Sequence, residues 1–211
     1  MTTKPASAFW LTLLRIARLA DAPAVWTGKA VSWLVLPLIL IIVFDSLSRK
    51  FLRKLDIVVE NDWHGYLNSP VFQDAEWHLH AMIFLGALGY AYSRNIHVRL
   101  DIFRPRLGPK GRMLTELLGG LFLLLPFVAI FLFYSWEFFL SAWTVDESSG
   151  MGNGIDHRWF IKFFLVLGPM LLLLSGLSMI LRLCVRLFGP GELAEAADVE
   201  RIADGSFSAF D

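Results

Sequence analysis

Four apolar stretches dominate the chain, and charged residues close off each of them. They run over about 30–48, 77–93, 117–136 and 163–181. A helix needs about 20 apolar residues to cross a hydrocarbon core about 30 Å thick, so each stretch has the length of one span. The stretches are continuously apolar rather than alternating, which argues against a transmembrane barrel. Helices are the remaining way to satisfy backbone polar groups in lipid. The expected fold class is therefore an all-α membrane protein, with four transmembrane helices plus amphipathic interfacial helices.

Composition agrees. Of the 211 residues, 56% are hydrophobic and 18% charged, where an ordinary soluble domain carries about 25% charged residues. Formal net charge is zero, so no global field draws nucleic acid. The single cysteine, Cys184, excludes an internal disulfide and a multi-cysteine metal site within the chain.

Pro37, Pro126 and Pro169 fall inside three of the spans, where proline is tolerated and kinks the helix. Gly86 with Gly89, and Gly119 with Gly120, give the second and third spans small faces that let helices approach closely. Trp33, Trp77, Trp136, Trp143 and Trp159 lie at or near span ends, as an aromatic belt requires.

Basic residues set the orientation. The N-terminal segment, the second loop and the C-terminal end together hold 13 Lys and Arg, against 6 in the first and third loops. Both termini are expected on the cytoplasmic side of a bacterial inner membrane. A basic cluster in the first loop (Arg49, Lys50, Arg53, Lys54) dissents. It is read as an interfacial extension of the first helix whose Leu47, Phe51 and Leu55 share one face. Residues 1–24 read as a cytoplasmic amphipathic helix, with Phe9, Leu13, Ile16, Ala17 and Ala20 at helical spacing. They do not read as a signal peptide, because Arg15 and Arg18 follow the short apolar run. Residues 25–188 form the four-helix domain. Residues 189–211 form an acidic cytoplasmic tail, expected as a short soluble helix or a frayed end.

The middle turns of all four spans contain no Asp, Glu, Lys, Arg or His. Chains that move ions by themselves place ionisable groups there, and no pair of interrupted segments suggests an inverted repeat. These features favour a scaffold or accessory subunit over a complete transporter. No nucleophile–base pair points to an enzyme, and no metal-ligand spacing is present. Five histidines, His64, His78, His80, His97 and His157, keep a competing reading open: a haem-bearing electron-transfer membrane subunit with axial ligands from the second and fourth helices. The run around Gly150, Gly152 and Gly154 follows no strand, so a nucleotide-binding reading fails.

Several motifs stand at matching places along the chain. Glu76-Trp77-His78 opens the second span, and His97-Val98-Arg99-Leu100-Asp101 fills the loop after it. Leu125-Pro126-Phe127 lies in the third span. Ser141 and Glu147-Ser148 follow, and Trp159 with Lys162 opens the fourth. Across residues 25 to 188 this pattern resembles the small membrane (Q, DctQ-type) subunit of tripartite ATP-independent periplasmic (TRAP) transporters.

The resemblance implies two partners, a large membrane (M) subunit and a periplasmic substrate-binding (P) protein. It implies sodium-coupled uptake of organic acids, with the substrate and ion sites in the large subunit and no cofactor here. The small subunit would pack on the large one's scaffold and help dock the binding protein. On this reading His97, Arg99 and Asp101 hold the inner loop. Glu147 and Ser148 offer an outer contact, and Glu76, Trp77, His78, Trp159 and Lys162 mark the interfacial span ends.

Overall fold

The computed structural model describes residues 8–52, 55–61, 70–96, 106–149, 154–197 and 199. Among the described residues every regular element is helical. Helix α1 covers Ala8–Ser32, α2 Val35–Lys50, α3 Asp56–Glu60, α4 Pro70–Ser93, α5 Pro109–Gly119, α6 Leu125–Thr144 and α7 Trp159–Phe188. The end of the bundle carrying residues 145–158 is called the loop end, and the end carrying residues 189–199 the tail end.

α4 and α7 pack side by side through the centre, with α1 against both and α6 against α7. Glycine permits this closeness. A Cβ on Gly89 would stand 2.7 Å from the Leu171 carbonyl oxygen and 2.8 Å from Ala24 Cβ. One on Gly168 would stand 2.9 Å from the Leu85 carbonyl oxygen. Small residues at helix crossings are how membrane bundles gain contact, since lipid tails supply no hydrophobic drive between helices.

α1 and α2 run on as one rod interrupted only at Trp33–Leu34. Pro37 lacks the N–H that an α-helix would offer to the Trp33 carbonyl. The chain tightens there, with Trp33 N donating to Ala30 O at 3.3 Å and Leu34 N to Val31 O at 3.0 Å. Tight turns of this kind mark strained points in helices. α5 and α6 are likewise one rod, joined by the π turn Gly120–Leu124. Pro126 follows it, and a widened turn is one way to accommodate a missing donor.

Two expectations change here. The boundary expected at residue 24 is not a break, because helix continues through Ser32. α1 buries Leu14, Ala17, Ala24, Gly28 and Val31 along one stripe against α4 and α7. Of the face read from the sequence, Ala17 is buried there, whereas Phe9 is 62% and Ile16 48% exposed. Among the described residues, three rods are long and apolar enough to cross a membrane, Ala8–Lys50, Pro109–Thr144 and Trp159–Phe188. α4 has the length, but Gln73, Asp74, Glu76, His78 and His80 make its first half polar.

The tail folds back. After the short 3-10 turn Gly191–Leu193, Leu193, Ala197 and Val199 are buried in one cluster with Leu14, Met113, Leu117 and Leu183. Four parts of the chain meet there.

Candidate docking site at the loop end

The loop between α6 and α7 is shaped by three carboxylates. Asp146 lies at φ 45°, a left-handed conformation that Asp and Asn adopt more easily than most residues. Its Oδ1 lies 2.7 Å from His157 Nδ1 and accepts from Trp159 Nε1 at 3.1 Å. The indole of Trp159 packs edge-on to Trp143 at 4.5 Å between centroids. One carboxylate therefore clips the start of α7 to the end of α6. The His157 hydrogen bond holds the Asp146 carboxyl below its ordinary value of 3.8. The same bond lifts His157 above its ordinary 6.5.

Glu147 closes the second clip. Its backbone carbonyl accepts from Arg158 N at 2.8 Å. Its side chain pairs with Lys162 and faces Arg158 Nη1 at 4.0 Å. Lys162 also lies 3.8 Å from the centroid of the Phe138 ring, a cation–π contact. Ser148 follows and is exposed.

Asp74, in the second turn of α4, forms the third. It is 8% exposed. Its Oδ2 accepts from Ser149 Oγ at 2.8 Å and from Ile155 N at 3.0 Å. The Asp74 backbone carbonyl contacts His78 Nδ1. Asp74 thus ties the α6–α7 loop to α4 across 75 and 81 residues of sequence.

The structure gathers six of the expected site residues at the loop end. Glu147, Ser148, Trp159 and Lys162 belong to the loop and its clips, and His78 stands one turn below Asp74. Glu76 lines a cavity of about 330 Å³ with Trp77, His80, Leu38 and Ile42. Trp77, a seventh, points outward and is 76% exposed. His97, Arg99 and Asp101 lie outside the described residues. Sequence reading missed Asp74. The only local signal for Asp74 was its i to i+4 spacing from His78; its loop partners are far away in sequence.

A polar contact also sits inside the bundle. Ser175 Oγ of α7 donates to Asp21 Oδ1 of α1 at 3.3 Å, and Arg182 Nη2 lies 3.8 Å from Asp21 Oδ2. Arg182 Nε also donates to Ser178 Oγ at 3.3 Å. Ser175, Ser178 and Arg182 recur at i, i+3 and i+7, which puts them on one face of α7. Among the described residues no group of three or more His, Cys, Asp or Glu is placed to hold a metal ion.

A bundle of long apolar helices, pinned at one end by a carboxylate-rich loop, has the character of an integral membrane protein. More particularly, the chain belongs to the DctQ family, described as the DctQ component of tripartite ATP-independent periplasmic transporters, whose family model matches residues 38–186. It is the small membrane subunit of such a transporter. No curated protein and no solved structure matches the chain.

Proposed function

We propose that the chain widens and steadies the scaffold of a large elevator-type membrane subunit, and that its loop end helps dock a periplasmic binding protein delivering organic acids for sodium-coupled uptake. Both termini lie on the cytoplasmic side of the inner membrane in this reading. The family match over residues 38–186 carries it. The loop end supports the docking part. Glu147 and Ser148 sit on a loop braced by Asp74, Asp146 and Lys162, and a braced loop loses little entropy when a partner binds. The inner-loop role of His97, Arg99 and Asp101 belongs to the same proposal.

The test is reconstitution. The chain is co-expressed with its neighbouring permease, purified in detergent and placed in liposomes with an inward sodium gradient. Uptake is expected only with the cognate binding protein present. Glu147→Lys reverses the charge at the loop and is expected to raise the binding-protein concentration needed for half-maximal uptake by about tenfold. Unchanged uptake across the whole concentration range sinks the docking role.

A further inference from the structure

α2 and α4 enclose a crevice that is apolar on one side and charged on the other. It holds about 330 Å³ and is lined by Leu38 and Ile42 of α2 and by Glu76, Trp77 and His80 of α4. Glu76 and His80 stand four residues apart and are neighbours along one helix face. Glu76 is half-buried and His80 exposed. Among the described residues neither side chain makes a hydrogen bond or an ion pair.

The nearest acid on α2 is settled differently. Asp45 is 7% exposed, and Arg49 holds it through Nε at 3.0 Å and Nη2 at 2.9 Å. The Gln73 amide of α4 lies against the same guanidinium, and Phe44 packs on Phe72 at 5.3 Å. These contacts fasten α2 to α4 beside the crevice, so its walls are preformed. They also engage Arg49 with Asp45, which leaves Glu76 as the acid of the crevice with no described cation.

The level of the crevice follows from the sequence. Glu76 directly precedes the apolar stretch 77–93, and Trp77 opens it. Leu38 and Ile42 lie within the stretch 30–48, and Arg49 falls just beyond its end. The crevice therefore starts at headgroup level and reaches the edge of the hydrocarbon, where indoles settle. An unpaired carboxylate among apolar walls is costly. A small hydrated cation would supply the charge but leave those walls wet. An amphiphile with a cationic head suits both.

We propose that the crevice binds one amine-headed phospholipid, a phosphatidylethanolamine. Its ammonium donates to the Glu76 carboxylate, and its phosphate accepts from a ring N–H of His80, one helical turn deeper. In such a lipid the phosphate lies between the ammonium and the acyl chains, two carbons from the ammonium. An acid with a histidine below it on the same face reproduces that order. Leu38, Ile42 and the Trp77 indole flank the glycerol and the first acyl carbons. The site needs only a bilayer, so it stands apart from the scaffold and docking roles.

The test uses the full chain co-expressed with the neighbouring permease and purified in mild detergent. Phospholipids with brominated acyl chains are titrated into the micelles and tryptophan quenching is read. Comparison with Trp77→Phe isolates the signal of Trp77. Brominated phosphatidylethanolamine is expected to reach half-quenching at about a tenfold lower mole fraction than brominated phosphatidylglycerol, the worth of one charge-assisted hydrogen bond. Glu76→Gln is expected to bring the two lipids level, and Glu76→Asp to keep part of the difference. Ile42→Phe narrows the crevice without touching its charge and is expected to weaken both. Equal quenching by the two lipids in the wild type, or a preference that survives Glu76→Gln, overturns the ammonium site. A preference for phosphatidylglycerol assigns the crevice to anionic lipid and overturns it too. Unchanged quenching in Ile42→Phe places the lipid elsewhere on Trp77. A preference seen only after the permease is lost means that protein covers the crevice in the complex, and overturns the lipid there. Loss of the permease by the wild-type chain bears on the small-subunit reading alone, because the lipid preference is read with and without it.

Discussion

At the scale of single residues, glycines report where the bundle is tightest. Gly89 faces backbone, the Leu171 carbonyl oxygen, which cannot swing aside for a Cβ at 2.7 Å. Gly89→Ala is therefore expected to cost about 1–3 kcal/mol through overpacking. Gly119 has nothing within 4 Å of an added Cβ, so Gly119→Ala is expected to be neutral or to gain up to about 1 kcal/mol from helix propensity. Thermal unfolding of the two variants in one detergent separates them. Sequence reading flagged both glycines as small-face residues without distinguishing them, because the difference lies in which neighbour arrives.

The Asp146–His157 contact carries a pH signature. Asp146, held low, favours the folded loop above its ordinary value of 3.8, and this contribution fades as pH falls through the lowered value. His157, held high, favours it below 6.5, and this contribution fades as pH rises through the raised value. Both contributions are fully present between pH 3.8 and 6.5. Fluorescence of Trp159, which donates to Asp146, is expected to change as pH rises beyond that window. In His157→Gln the alkaline step should vanish; a step that persists assigns it to another group.

At the scale of elements, the decisive contacts join segments that sequence cannot pair. The spans 117–136 and 163–181 were legible because they are unbroken apolar runs, and they lie within the rods 109–144 and 159–188. The continuity of α1 with α2 was not legible. Arg15, Arg18, Asp21 and Lys29 depress hydropathy before residue 30, so the unbroken apolar stretch covers only the second half of the rod. Packing of α1 against α4 and α7 overrides that local polarity, and Asp21 finds Ser175 from 154 residues away.

The tie from α4 to the α6–α7 loop has the same non-local character. Asp74→Ala leaves Ile155 N and Ser149 Oγ without the acceptor that now serves both, an expected cost of about 1–3 kcal/mol. Its first sign should be faster proteolysis between residues 146 and 158, ahead of any loss of helix. Asp74→Asn keeps an acceptor oxygen and should protect the loop partly. Equal cleavage rates in wild type and Asp74→Ala would show that the loop is held by the Asp146 and Glu147 clips alone.

At the scale of the whole molecule, the two ends of the bundle are closed by different physics. Directional polar bonds from Asp74, Asp146 and Glu147 pin the loop end. Apolar burial closes the tail end, where Leu193, Ala197 and Val199 cap Leu14, Met113, Leu117 and Leu183. Acidity gave the tail the look of a solvated appendage. Yet Glu192 and Glu195 are exposed while the apolar residues interleaved with them are buried. The tail joins the first and last helices with α5, so its removal should loosen all three together. Ending the chain after Gly189 strips two large aliphatic side chains from the cluster, a loss of about 3 kcal/mol. That corresponds to a fall in Tm of about 6–12 °C for a chain of this size. Leu193→Asp keeps the length and the acidity but places a charge in the cluster, and should lower Tm at least as far. If both variants melt with the wild type, the tail does not rest on the bundle in solution, and α1, α5 and α7 hold that end without it.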